Sequence, residues 1–156
     1  LSKNSGLDLD RITNGPKVDE YRETEHAGVF ACGNVLQVHD LVDYVTQESQ
    51  IAGVGAAKFI KGEKVTGDCV YTKGINGVRY IVPQRINCKT DGDVKLYFRV
   101  GAVFNNAKII VECEGKEILS KKKVKLCPGE MEYVIIKQSV IAELPANAEI
   151  TVRVEA

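Results

Sequence analysis

Hydrophobic positions change their period part-way along the chain. In the second half the period is two. Val94, Leu96, Phe98 and Val100 alternate with Lys95, Tyr97 and Arg99, and Ile109, Val111 and Cys113 alternate with Lys108, Ile110 and Glu112. Val124 and Leu126 alternate with Lys123 and Lys125, and Ile150, Val152 and Val154 with Thr151, Arg153 and Glu155. Such alternation places one strand face in a core and the other in water. Turn-forming pairs separate the runs: Asn76-Gly77, Asp91-Gly92, Asn105-Asn106, Glu114-Gly115 and Pro128-Gly129. About seven short strands at this spacing predict an antiparallel β-sandwich, immunoglobulin-like in one version of its topology. The Cys…Trp…Cys core of antibody domains is absent, because the sequence has no Trp.

The first half follows other rules. Lys17–Tyr21 is expected to form a short strand, and Gly28–Cys32 a buried strand ending at Gly33. From Val38 to Ile60 the pattern is helical, with Leu41, Val45, Ala52, Ala56 and Phe59 recurring at separations of three, four or seven. Asp40 is placed to cap this helix, and Asp43 to favour its positive end. Lys58 and Lys61 suit its C-terminal end, and Gly62 the residue just beyond. Gly53 and Gly55 lie inside it at a cost of about 1 kcal/mol each relative to Ala, which close packing would explain. The chain thus reads as α+β, with three parts. Residues 1–62 form a loop, short-strand and helix segment, residues 63–77 a Gly-, Lys- and Thr-rich linker, and residues 78–156 the sandwich.

Charge adds little to this picture. Basic and acidic residues number 21 each; the first 62 residues hold six basic and nine acidic, and the remainder fifteen and twelve. Nothing global points to nucleic acid or to an anionic membrane. No apolar run reaches the ~18–20 residues needed to span a bilayer. The opening LSKNSGLDLD has no signal-peptide pattern and no initiator Met, so the chain is expected to begin inside a longer protein. Its five cysteines, Cys32, Cys69, Cys88, Cys113 and Cys127, include no C-x-x-C pair. A disulfide framework or zinc site is therefore not expected, and a reducing, cytoplasmic setting is.

The stretch His26–Asn34, His-Ala-Gly-Val-Phe-Ala-Cys-Gly-Asn, carries the candidate chemistry. A glycine at the end of a buried strand lets the backbone approach a ligand closely. Asn34 can donate to and accept from a sugar-like hydroxyl. The following helix would aim its free N–H groups at the same space, where they favour an electron-rich carbonyl.

These residues resemble the closing FAD motif of the pyridine nucleotide-disulfide oxidoreductase superfamily. That motif runs roughly T-x-x-P-G-[VI]-[FY]-A-x-G-D, and Thr24, Gly28, Val29, Phe30, Ala31 and Gly33 match it. The upstream Val18–Tyr21 and the downstream helix with Ala52-Gly53 and Ala56-Ala57 also look like their family counterparts, so the likeness covers about residues 6–62. The resemblance implies an FAD- and NAD(P)-dependent oxidoreductase. Gly33 and Asn34 would contact the ribityl and pyrophosphate portion, and the backbone of His39, Asp40, Leu41 and Val42 would face the pyrimidine end of the flavin. Asn34 departs from the family Asp and removes a charge.

No G-x-G-x-x-G and no redox C-x-x-C occur, so most of the FAD site and all of the nicotinamide site would lie in the remainder of the polypeptide. The isolated chain is expected not to retain FAD. Cys32 reads as an inert buried thiol, and His39 as a capping residue or, less simply, a flavin hydrogen-bond partner or proton carrier. Lys121–Lys123 reads as a solvated edge. The sandwich shows no catalytic constellation; the resemblance implies a role in dimerisation or partner contact, as for extra C-terminal domains of related flavoproteins. The competing reading is a stand-alone β-sandwich interaction module with a helical N-terminal arm.

Overall fold

The computed structural model describes residues 2–63 and 67–156. Eight strands form two sheets: β1 (Cys69–Gly74), β2 (Val78–Val82), β3 (Arg85–Asn87), β4 (Val94–Val100), β5 (Phe104–Cys113), β6 (Lys116–Leu126), β7 (Glu132–Ile136) and β8 (Glu149–Glu155). One sheet has the order β3-β1-β8-β5-β6 and the other β2-β4-β7. Pairing is antiparallel except between β1 and β8, which run parallel. These orders do not by themselves make the topology immunoglobulin-like. The two sheets close on one core, in which Val70, Ile109, Val111, Ile150 and Val152 meet Ile81, Leu96, Phe98, Val134 and Ile136.

The turn pairs act as expected at two connections, the step from β1 to β2, which lie in different sheets, and the β5–β6 hairpin. Asn76 and Gly77 have φ of +40° and +99°, and Glu114 and Gly115 have +49° and +79°. Two successive left-handed residues suit a two-residue hairpin because their twist matches that of the strands. Asn105-Asn106 behaves differently. Both residues lie within β5, and Asn106 takes φ +51° between the paired Asn105–Lys125 and Ala107–Lys123. Val124, expected to face the core, is 82% exposed at this irregular step.

The N-terminal segment departs most from expectation. Neither Lys17–Tyr21 nor Gly28–Cys32 is a strand; the segment is loop, with only the isolated bridges Leu9–Pro16 and Glu23–Phe30. Neither stretch joins a sheet: Val18 O accepts the Gln84 N–H at 3.1 Å and Val18 N–H donates to Gln84 Oε1 at 3.0 Å, while Thr24 N–H bonds Val29 O at 2.8 Å and Ala31 N–H bonds Arg22 O at 3.0 Å. The segment expected as linker holds β1, while residues 64–66 lie outside the described residues.

The helix α1 spans Val42–Ile60 and starts four residues later than expected. Its C-terminus closes as expected. Gly62 has φ +70°; its N–H bonds Phe59 O at 3.1 Å, and Glu63 N–H bonds Lys58 O at 2.9 Å, the two bonds of a Schellman cap.

The N-terminal segment covers the outer face of the three-stranded sheet. Val18, Ala31 and Leu36 form a second core with Tyr80 and Val82. Tyr97, which alternation assigned to water, is fully buried and stacks edge-on with Tyr44 of α1 at 5.9 Å. The molecule is therefore layered as five-stranded sheet, three-stranded sheet, then loop and helix.

The two helical glycines separate cleanly. A Cβ on Gly55 would meet Tyr21 O at 2.7 Å and Phe30 Cε1 at 2.9 Å, whereas one on Gly53 would meet nothing within 4 Å. Gly53→Ala is expected to raise the unfolding free energy by up to ~1 kcal/mol, and Gly55→Ala to lower it, because loop 21–30 must move off the helix. Urea unfolding of both variants checks the contrast; equal shifts would remove the packing argument.

Candidate functional site

Gly33 opens a short 3-10 turn, Gly33–Val35, with φ +70°. The chain then runs to α1 through Asn34, His39, Asp40 and Leu41. A single buried carboxylate organises this loop. Glu48 of α1 is fully buried, three residues past Val45 and four before Ala52, and so on the inward stripe of the helix. Its Oε2 accepts the Gly33 N–H at 2.9 Å and lies 3.1 Å from His39 Nε2. Its Oε1 accepts from Gln37 Nε2 at 3.1 Å and from Arg22 Nε at 3.3 Å. The Arg22 guanidinium, 1% exposed, also donates to Glu20 O at 3.3 Å and lies over the Tyr97 ring at 5.9 Å. A buried carboxylate is tolerated only when its lone pairs are met in this way.

The expected site residues are brought together, but several serve the protein itself. Gly33 donates its N–H to Glu48. Asn34 Oδ1 accepts the His39 N–H at 3.2 Å. The His39 ring turns inward, with a side chain 1% exposed, so it reaches neither solvent nor the space in front of the helix. Asp40 does not cap α1. Its carboxylate takes the Met131 N–H at 3.2 Å and Arg99 Nη2 at 3.2 Å, because the loop after β6 lies closer than the helix start. The cap position falls to Leu41, which has no side-chain cap bond. The helix N-terminus is left among exposed Val35, Val38, Leu41 and Val42, the last 80% exposed. Cys32 is partly exposed rather than buried, and all five cysteines are free.

A second site was not legible in the sequence. A cleft of about 320 Å3 lies where loop 19–30, the last turns of α1 and strands β1 and β3 meet. Ala27, Phe30, Gly55 and Cys69 contribute apolar wall, and among the described residues six carboxylates and the cations Lys58 and Arg85 line it. Burial pushes the Glu20 carboxyl up to about 7 from 4.5; the Asn87 N–H on Oε2 at 3.0 Å opposes this, and the charge of Asp19 adds to it. Asp19 is also raised by burial, against bonds from the Glu23 and Tyr21 N–H groups. The Cys69 thiol is raised by burial and by Glu20. At the mouth Lys58 is bound to Tyr21 Oη and Asp91. Arg85 Nη2 donates to the carbonyls of Glu23 at 3.0 Å and Thr24 at 2.6 Å.

No protein-family model, curated protein or solved structure matches this chain.

Among the described residues no three His, Cys, Asp or Glu side chains converge as metal ligands, and no helix is long and apolar enough to cross a membrane. Glu48 had a sequence signal: it is the one charged residue within an otherwise apolar helical stripe. The cleft had none, because its lining is drawn from residues 19–30, 55–69 and 85–91.

Proposed function

We propose that this chain is the C-terminal portion of an FAD-dependent NAD(P)H oxidoreductase, with loop 33–42 as one wall of the flavin site. The supporting observation is the start of α1. It carries no side-chain cap, and the four exposed apolar residues around it form a surface suited to a flat, largely apolar ring. Uncapped N–H groups at the positive end of a 19-residue helix favour negative charge on a facing carbonyl.

FAD, when bound, would supply the electron transfer from a nicotinamide to an acceptor. The residues present fit one edge of it. The backbone of His39, Asp40, Leu41 and Val42 would face the pyrimidine end, where charge builds up on reduction. Gly33 and Asn34 would lie beside the ribityl chain. With its Oδ1 on the His39 N–H, Asn34 would set the shape of the loop as well as offer its amide to the cofactor. The remainder of the polypeptide would hold the pyrophosphate and the nicotinamide. The sandwich would serve dimerisation, and the five free cysteines suit a cytoplasmic setting.

The test is flavin retention by the protein purified from its full open reading frame. A stoichiometric visible flavin spectrum is expected, as is weaker retention in Asn34→Leu by about tenfold, the order expected for one lost polar contact. A colourless full-length protein would overturn the reading. Unchanged occupancy in Asn34→Leu would remove that residue from the site.

A further inference from the structure

We propose that the free edge of β6 takes an acidic, extended peptide as an added strand. This inference is independent of the flavin reading and uses none of its residues. β6 is the last strand of the five-stranded sheet, and β5 is its one neighbour among the described residues. At 11 residues it is also the longest strand, one residue longer than β5. Among the described residues no other backbone bonds its outer side. A row of unpaired N–H and C=O groups is a template for another extended chain.

Charge selects the chain. Lys121, Lys122, Lys123 and Lys125 lie along this edge. Lys123 holds Glu132 of β7 at 2.7 Å. Lys121 rests over the Tyr133 ring at 5.2 Å and has no carboxylate partner among the described residues. Lys122 and Lys125 are exposed and have none either. Lys122 stands opposite Lys108 of β5, whose own charge is met by Glu117 at 3.5 Å. Lysines on an edge guard it against unwanted strands, because like charges placed opposite one another repel. That guard acts against the same edge of a second copy, which would set lysine against lysine. It acts the other way for a strand bearing carboxylates, whose side chains would fall beside Lys121, Lys122 and Lys125. Val124, 82% exposed between Lys123 and Lys125, adds an apolar contact that a purely repulsive edge does not need. A nucleic acid would meet the charge but has no alternating N–H and C=O groups to pair with the strand. The free edge therefore favours a peptide.

The experiment titrates the chain at low salt with an acetylated and amidated heptapeptide of alternating Glu and Val, following backbone amide NMR shifts and hydrogen exchange. Its controls are the same peptide with Lys for Glu, the Glu peptide N-methylated at every residue, and a thymidylate heptamer. Saturable shifts in β6 and slower exchange of its amides are expected with the Glu peptide, weakening as salt is added. The Lys peptide and the N-methylated peptide, which keeps the charge but has no N–H to pair, are expected to bind at least tenfold more weakly. The double variant Lys122→Glu, Lys125→Glu alters two exposed side chains and is expected to keep the other amide shifts of the folded protein. It should lose the Glu peptide by at least tenfold and bind the Lys peptide in its place. No saturable binding of the Glu peptide, shifts confined to other surfaces, or equal binding of its N-methylated form would each overturn the proposal. Equal or tighter binding of the thymidylate heptamer at β6 would assign the edge to nucleic acid instead. Unchanged affinity for the Glu peptide in the double variant would also overturn it.

Discussion

Glu48→Ala is expected to lower the unfolding free energy by about 3–5 kcal/mol, the usual cost of removing one member of a buried ion pair. The reason is what it leaves behind. Arg22 stays buried with only the Glu20 carbonyl and the Tyr97 face as partners, and the Gly33 N–H and Gln37 amide lose their acceptor. An uncompensated buried charge costs more than the lost bonds. Glu48→Gln keeps two acceptor lone pairs and the side-chain shape but removes the charge, so a smaller loss is expected. Chemical denaturation orders the three proteins. A Glu48→Ala protein within about 1 kcal/mol of the wild type would mean that the network does not form, since exposed pairs have values of that size. Hydrogen exchange adds a local check: the Gly33 amide should be protected in the wild type and lose that protection in Glu48→Ala.

Stability is expected to fall as pH rises through the range between the ordinary carboxyl value and neutrality, with Glu20 as the cause. Burial raises its proton affinity in the folded state to about 7 from 4.5. The folded protein therefore holds the proton more tightly than the unfolded chain does. Below about 4.5 both states are protonated and the burial cost is absent. Between there and about 7 the unfolded chain ionises first, and folding loses ground with each step of pH. Above about 7 both are ionised and the full cost applies, up to ~3 kcal/mol for a shift of this size. Glu20→Gln should remove that slope. It should be more stable than the wild type at about pH 8 and nearly equal to it at about pH 4, where the two side chains are both neutral. Thermal melts across this range supply the measurement. Parallel curves for the two proteins would show that Glu20 ionises as freely when folded as when unfolded.

The part of the fold that sequence made legible is the part governed by local pattern. Strands β4, β5 and β8 appear where period-two alternation placed them, and Asn76-Gly77 and Glu114-Gly115 turn where expected. Gly62 ends α1 for a reason contained in its missing Cβ. The failures are tertiary. Tyr97 alternates like a solvent-facing residue, yet it is buried because a distant helix covers that face. Gly28–Cys32 has the composition of a strand but finds no partner strand, and a bridge at Phe30 is all that forms. Asp40 has the chemistry of a helix cap, but Met131 and Arg99, about 60 to 90 residues away in sequence, compete for it. Of the candidate site, the residue set 33–42 is contiguous in space. That His39 turns inward and that Glu48 bonds the Gly33 N–H are tertiary facts, set by how α1 packs against the loop. The acidic cleft was hidden for the same reason, since its walls come from three separated stretches.

The parallel pairing of β1 with β8 bears on the order in which this chain can fold. Tyr71 lies beside Glu149 and Gly74 beside Val152, so the five-stranded sheet is joined across nearly its whole length of sequence. The β5–β6 hairpin can close early through its two-residue turn, while β1 must wait for the last strand to be made. Loop closure over that span carries an entropic cost that is met only when β8 lies down between β1 and β5. During synthesis the β1–β3 pair thus stays detached from the rest of its sheet until the C-terminal residues emerge. Loss of β8 would split that sheet into two separate two-stranded pairs, β1–β3 and β5–β6.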